Sequence, residues 1–197
     1  MKILITSGGT REFIDDVRVL TNISTGALGS IIADKCFEAG HEVHYVYTQG
    51  SIMPKNTEII NHTIEDVDSL MIKMMNLAPS MDVIIHAMAV SDFGFKSINA
   101  KLKSNNKEEF INSLRDRIKV NPKVLSYIKK WSPNSYLISF KFEVGQTHKD
   151  LLDIAYKSLE NNNCDLQDKH KNVIKCNDKN EIANEIVRAI KNNGLKW

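Results

Sequence analysis

The spacing of apolar positions changes period repeatedly along the chain, and each change marks an element. Residues 2–6 (KILIT) form a short β-branched apolar run that stops at Ser7-Gly8-Gly9, the pattern of a buried strand entering a turn. Across 26–39 the residues Ala27, Leu28, Ile31, Ile32 and Cys36 recur at helical spacing, and Gly40 follows as a stop. A second strand is expected over 42–48 (EVHYVYT). Thr63 with Asp66 suggests a capping box opening a helix that runs to Met75. A third strand covers 82–87 (DVIIHA). Asn121-Pro122 predicts a helix start, with the helix reaching about 130. A fourth strand over 136–142 (YLISFKF), a helix over 148–161, a short strand over 172–175 and a helix from Asp178 to about 191 complete the series.

Strands alternating with helices imply an α/β fold, a doubly wound, mostly parallel Rossmann-like sheet with helices on both faces. One nucleotide-binding domain over 1–197 is expected, with a small C-terminal strand–helix element. Residues 97–121 are lysine-rich and only weakly periodic, so they read as a flap leaving the core. In such a fold ligands bind beyond the carboxyl ends of the strands, here at 7–10, 48–51, 87–93 and 140–143.

The 197 residues carry 26 basic and 24 acidic side chains, a net charge of +2. So small an excess predicts no general affinity for nucleic acid or anionic membrane, and any phosphate must be met by a local pocket. Cys36, Cys164 and Cys176 lack the paired spacing of a metal site. They fit a reducing compartment, and the apolar run at the N-terminus is too short for a signal peptide, so a cytoplasmic protein is expected.

The strongest local signal lies between the first strand and the first helix: Gly8, Gly9 and Thr10, then Arg18, Asn22, Ser24, Thr25 and Gly26. A helix start exposes free N–H groups, Ser24 and Thr25 add hydroxyls, and Gly26 lets an anion approach the backbone. The alternative is that these glycines only permit a tight turn. Asn22 is either an oxyanion donor of the kind acyl transfer uses or a turn residue. Arg18 is either a phosphate fork or the partner of Asp15 or Asp16. Ala89 and Asp92 bracket a small-residue turn after the third strand, where Asp92 faces an exocyclic amine, helps hold a metal or forms an Asx turn. At the fourth strand end Phe140 offers a face for a base, or simply core, and Lys141 a cation. The long 10–25 excursion differs from a compact G-x-G-x-x-G, and Tyr47-Thr48-Gln49 replaces the acid that holds a ribose. An NAD(P)-dependent oxidoreductase is therefore disfavoured.

The run ILITSGGTREFIDDVRVLTNISTGALG within 1–29 closely resembles the opening of phosphopantothenate–cysteine ligases. HAMAVSDF (86–93) and ISFKFE (138–143) resemble two further family motifs, in the right order and at the right strand ends. The resemblance implies a stand-alone enzyme of coenzyme A synthesis. It would activate 4′-phosphopantothenate with CTP, ahead of ATP, and Mg2+, release pyrophosphate, and pass the acyl group to the amine of L-cysteine. It assigns Asn22 to the acyl intermediate, and Gly8, Gly9, Thr10, Ser24, Thr25 and Gly26 to the phosphates. Ala89, Asp92, Phe140 and Lys141 fall to base and ribose, with Arg18 on the phosphorylated acid. It also implies a homodimer. The family's lysine-bearing flap and an Asn-Asp stretch near the C-terminus have no clear counterpart here, which leaves a catalytically silent nucleotide-binding module as the competing expectation.

Overall fold

In the computed structural model, the described residues are 1–96, 98, 101–102, 106–140, 145, 147–162, 164 and 178–192. Five strands build the central sheet: β1 (Lys2–Ser7), β4 (Glu42–Thr48), β5 (Ile60–Ile64), β6 (Val83–His86) and β9 (Tyr136–Ser139). Every pairing is parallel and the order is β5-β4-β1-β6-β9. The chain thus winds outward from β1 to one edge, then returns to start again on its other side. β1 and β6 flank the point where the winding reverses, and their carboxyl ends open a crevice there.

Helices cover both faces because the strands are apolar on both. Ile3 and Ile5 of β1 pack with Ile32, Ala33 and Cys36 of α1 (Ala27–Glu38) and with Ala183, Ile186 and Ile190 of α6 (Lys179–Asn192). Leu4, between them in sequence, points the other way. It joins Val67, Leu70 and Met74 of α2 (Val67–Leu77) and Ile128 of α4 (Leu125–Trp131). Burial pushes the Cys36 thiol up to about 12, so it is an inert core residue.

Two small antiparallel strand pairs, the first of them a hairpin, stand outside this sheet. β2 (Arg11–Asp15) pairs with β3 (Arg18–Thr21), and β7 (Phe93–Phe95) pairs with β8 (Ile118–Val120). Between β7 and β8 lies α3 (Lys107–Arg117), and α5 (His148–Asn162) follows β9.

Several sequence expectations shift. The helix after β4 is capped by Asp66, which accepts from Ser69 N at 2.8 Å while Ser69 Oγ accepts from Asp66 N. Thr63 belongs instead to β5, and the box is Asp66 with Ser69, worth about 1 kcal/mol. β5 itself escapes a hydrophobic pattern because it is an edge strand with a polar centre, Asn61-His62-Thr63. Asn121 does not cap α4, which begins at Leu125. Its side chain is buried and donates to the Ser91 carbonyl at 3.1 Å, tying the third strand's exit to β8. Part of the 97–121 stretch is ordered as α3, capped by Asn106, although none of the helix is buried. β9 ends at Ser139; the remainder of the expected strand beyond Phe140, the expected strand at 172–175 and Cys176 lie outside the described residues.

Candidate active site

The crevice begins as an extension of the sheet. Beyond β1 and β6 the backbone continues to zip: Ala87 N donates to Thr6 O at 3.1 Å, Ala89 N to Gly8 O at 2.8 Å and Thr10 N to Ala89 O at 3.2 Å. Gly9 and Ala89 form a parallel bridge. Gly8, Gly9 and Ala89 are therefore held at one level by main-chain bonds. The Thr10 hydroxyl accepts from Ser91 N at 2.9 Å, which places it in the framework under the loops.

The β2–β3 hairpin then carries the chain out and back, returning it at Asn22. Thr21 Oγ1 donates to Thr10 O at 2.8 Å and closes the base of the hairpin. Asn22 Nδ2 reaches the Ala89 carbonyl at 3.3 Å while the residue stays exposed. The sequence thus folds a remote amide back over the exit of β6.

Next, α1 starts without a side-chain cap. Gly26 takes φ 75°, and no residue in the first turn is acidic. The Gly26 carbonyl accepts from Ser7 Oγ at 2.9 Å, which pins the helix start to the end of β1. A Cβ on Gly29 would lie 2.4 Å from Ser7 Oγ, so helix and strand meet at glycine distance. Ala27 N reaches only Thr25 Oγ1, at 3.4 Å. A helix start left open in this way presents first-turn N–H groups of the kind that suit an anion.

A cleft of about 550 Å³ opens over this helix start. Ile23 through Gly29, His86 through Ala89, Phe140 and Lys179 line it. Of the residues singled out from sequence, it brings together Ser24, Thr25, Gly26, Ala89 and Phe140, with Asn22 beside it on the Ala89 carbonyl. Phe140 is 38% exposed, an unusual exposure for a core aromatic. The structure puts other candidates elsewhere. Asp92 is exposed and pairs with Lys123. Arg18 pairs with Asp15 at 2.5 Å and lies over the Phe110 ring at 5.3 Å. Burial raises the Asp15 pKa, but the N–H groups of Val17 and Leu102 and the Arg18 charge outweigh it and leave the carboxyl below its ordinary range. Lys141 lies outside the described residues.

Two lining residues were not anticipated. His86 is buried at the end of β6, with Nδ1 2.8 Å from Thr6 Oγ1, and burial pushes its pKa down to about 4. It is a neutral floor for the cleft at physiological pH. Lys179 opens α6, and its only sequence signal was its place directly after the Asp178 cap. Neither the lining of this cleft nor any cluster among the described residues supplies the set of carboxylates that would cage a cation.

A parallel sheet with order β5-β4-β1-β6-β9 and a crevice at its switch point defines a doubly wound, Rossmann-like α/β protein. The model of the family described as DNA/pantothenate metabolism flavoprotein C-terminal domain matches residues 1–172, and the chain belongs to that family. The Coenzyme A biosynthesis bifunctional protein CoaBC of Methanocaldococcus jannaschii is 34% identical over 165 residues, covering 84% of this chain and 39% of the relative. The chain therefore spans about two fifths of the length of the curated relatives it matches. Among solved structures, the DNA/pantothenate metabolism flavoprotein from Streptococcus pneumoniae superposes with a TM-score of 0.83 at 32% identity, over 98% of this chain and 99% of that one. The C-terminal domain of a CoaBC bifunctional protein superposes with a TM-score of 0.78 at 25% identity, over 98% and 94%.

Proposed function

We propose that this chain joins 4′-phosphopantothenate to L-cysteine through an acyl-nucleotide intermediate, using CTP in preference to ATP. The observation that carries this reading is the pairing of an uncapped helix start with an exposed amide, Asn22, held on the Ala89 carbonyl beside it. Membership of the pantothenate-metabolism family supports the substrate class.

In this scheme the first-turn N–H groups of α1, with Ser24 and Thr25, cradle the phosphates, and Phe140 stacks on the base. The carboxylate of the pantothenate attacks the α-phosphorus and pyrophosphate leaves. The cysteine amine then attacks the acyl carbon and the nucleoside monophosphate leaves. Asn22 Nδ2 donates to the oxyanion that forms at that carbon. Among the described residues the cleft offers no cage of carboxylates, so Mg2+ would come with the nucleotide and would supply neutralisation of its phosphate charge. Arg18 takes the phosphate of the pantothenate by exchanging Asp15 for it, and Asp92 meets the base or ribose by releasing Lys123.

A homodimer is part of the proposal. Val17, Ile23, Phe93 and Val120, from the β2–β3 hairpin, the β7–β8 pair and the loop after β3, are 62%, 105%, 49% and 76% exposed, an apolar set that a second copy would cover. A reducing cytoplasm suits the buried thiol of Cys36. Pyrophosphate release measured with Mg2+, 4′-phosphopantothenate and L-cysteine, in parallel with CTP and ATP, tests the reading. Release that depends on the acid and favours CTP is expected. Nucleotide binding with no release from either would replace the ligase with a silent binding module.

A further inference from the structure

The cleft over α1 has a charge requirement that its other lining residues do not meet. A nucleoside triphosphate brings about four negative charges, whereas a helix start offers roughly half a positive charge. Among the described lining residues, Lys179 is the one side-chain cation, and no carboxylate lines the same space. Its ammonium has no hydrogen-bond or ion-pair partner among the described residues, unlike Lys119 with Asp68 or Lys123 with Asp92.

The fold explains why a lysine so far along the chain arrives there. α1 and α6 pack side by side on one face of the sheet, sharing Ile32, Ala33, Ala183 and Ile186. Both start on the crevice side, yet the two starts are built differently. α6 is closed by Asp178, whose carboxylate accepts from Asn180 N at 2.7 Å and Glu181 N at 2.9 Å. α1 has no such cap. One helix thus leaves its N–H groups free, and its neighbour satisfies its own and presents a cation across the cleft.

Resting on the ligase reading above, we infer that Lys179 is a phosphate-binding residue for the nucleotide, holding the oxygens of the departing pyrophosphate. It discriminates triphosphates from monophosphates, because a cation placed beyond the α-phosphate gains nothing from a nucleotide that ends there. It also favours departure of the pyrophosphate by holding the negative charge that collects on it.

The test is calorimetric binding of CTP and CMP, without the pantothenate, to the wild-type protein and to Lys179→Gln and Lys179→Arg. Loss of one charge-assisted contact should weaken CTP binding by roughly 10- to 100-fold in Lys179→Gln, with CMP unchanged and Lys179→Arg restoring most of the difference. The KM for 4′-phosphopantothenate should hold while that for CTP rises. Equal loss of CTP and CMP, or a rise in KM for the pantothenate alone, overturns the assignment. Failure of the ligase reading is separately visible, since the wild-type protein would then bind CTP without releasing pyrophosphate while the Lys179 difference persisted.

Discussion

Replacing Gly29 with alanine tests whether the close approach of α1 to β1 shapes the site. The added Cβ would sit 2.4 Å from Ser7 Oγ and 2.6 Å from Ser7 Cβ, with Ser7 Cα at 3.5 Å. Ordinary carbon contacts lie at about 3.5–4.0 Å, so the helix must withdraw by about 1 Å or Ser7 must turn away. Overpacking of this kind costs about 1–3 kcal/mol, and the better helix propensity of alanine returns up to about 1. The net loss should be about 1–2 kcal/mol, or roughly 2–8 °C in Tm for a chain of this size. Because Ser7 Oγ also donates to the Gly26 carbonyl, the same shift loosens the helix start and should raise the KM for nucleotide. Urea denaturation of Gly29→Ala, Ser7→Gly and the double variant isolates the contact, since Ser7→Gly removes both clashing atoms. In that background Gly29→Ala should lose its cost, giving a coupling energy above about 1 kcal/mol. A cost below about 0.5 kcal/mol, or one that is the same in both backgrounds, refutes the argument.

Three further outcomes follow from the site and its supports. Asn22→Asp should still form the acyl-nucleotide but convert it slowly, since a carboxylate repels the developing oxyanion; a loss of about 3 kcal/mol corresponds to roughly 100-fold. Single-turnover quench experiments separate the two steps, and unchanged conversion removes Asn22 from the chemistry. His86 has a folded pKa of about 4, below its ordinary 6.5, so stability should be full above 6.5 and fall as pH drops, because only the unfolded chain takes the proton. Between pH 7.5 and 5.5 that amounts to about 1.4 kcal/mol, with His41 and His62 lowered in the same direction; a flat urea midpoint over this range would falsify a buried neutral His86. Glu12 is 4% exposed and burial raises its pKa against the Val67 N–H and Asn121 bonds that lower it, so its charge opposes folding above the raised pKa and that penalty vanishes below 4.5. Glu12→Gln should therefore stabilise the protein at pH 7.5 by a few tenths to about 1 kcal/mol and offer an N–H to the unpartnered Asn121 Oδ1, an effect absent near pH 4. A lower urea midpoint at pH 7.5 would show that the anion itself is what the site needs.

The parallel core was legible because its strands are buried on both faces and carry unbroken apolar runs, as KILIT and DVIIH do. The two small antiparallel pairs and β5 were not, since their apolar residues face outward or sit at an edge: Val17, Leu20 and Val120 are exposed, and β5 buries only Ile64. A pattern of period two with no buried face carries no signal of its own. The crevice was legible as a place, because strand ends in a doubly wound sheet are fixed by topology. The partners within it were not all legible. Arg18 pairs with Asp15 three positions away and Asp92 with Lys123 on a different segment, and the sequence could not rank either pairing against a ligand.

Lys179 shows the limit more sharply, and points to what governs it. The residues of the first βα connection are near one another in the chain, so their convergence can be read directly. Lys179 is 153 positions beyond Gly26 (179 − 26), and reaches the same cleft because two helices share one sheet face. What brings it there is the burial of Ala183, Ile186 and Ile190 against the α1 side of the sheet, a packing interaction with no chemistry in it. Apolar residues on one stripe of α6 thus set the position of a cation on its first turn. Substitutions on that buried stripe should therefore alter nucleotide affinity without touching the cleft.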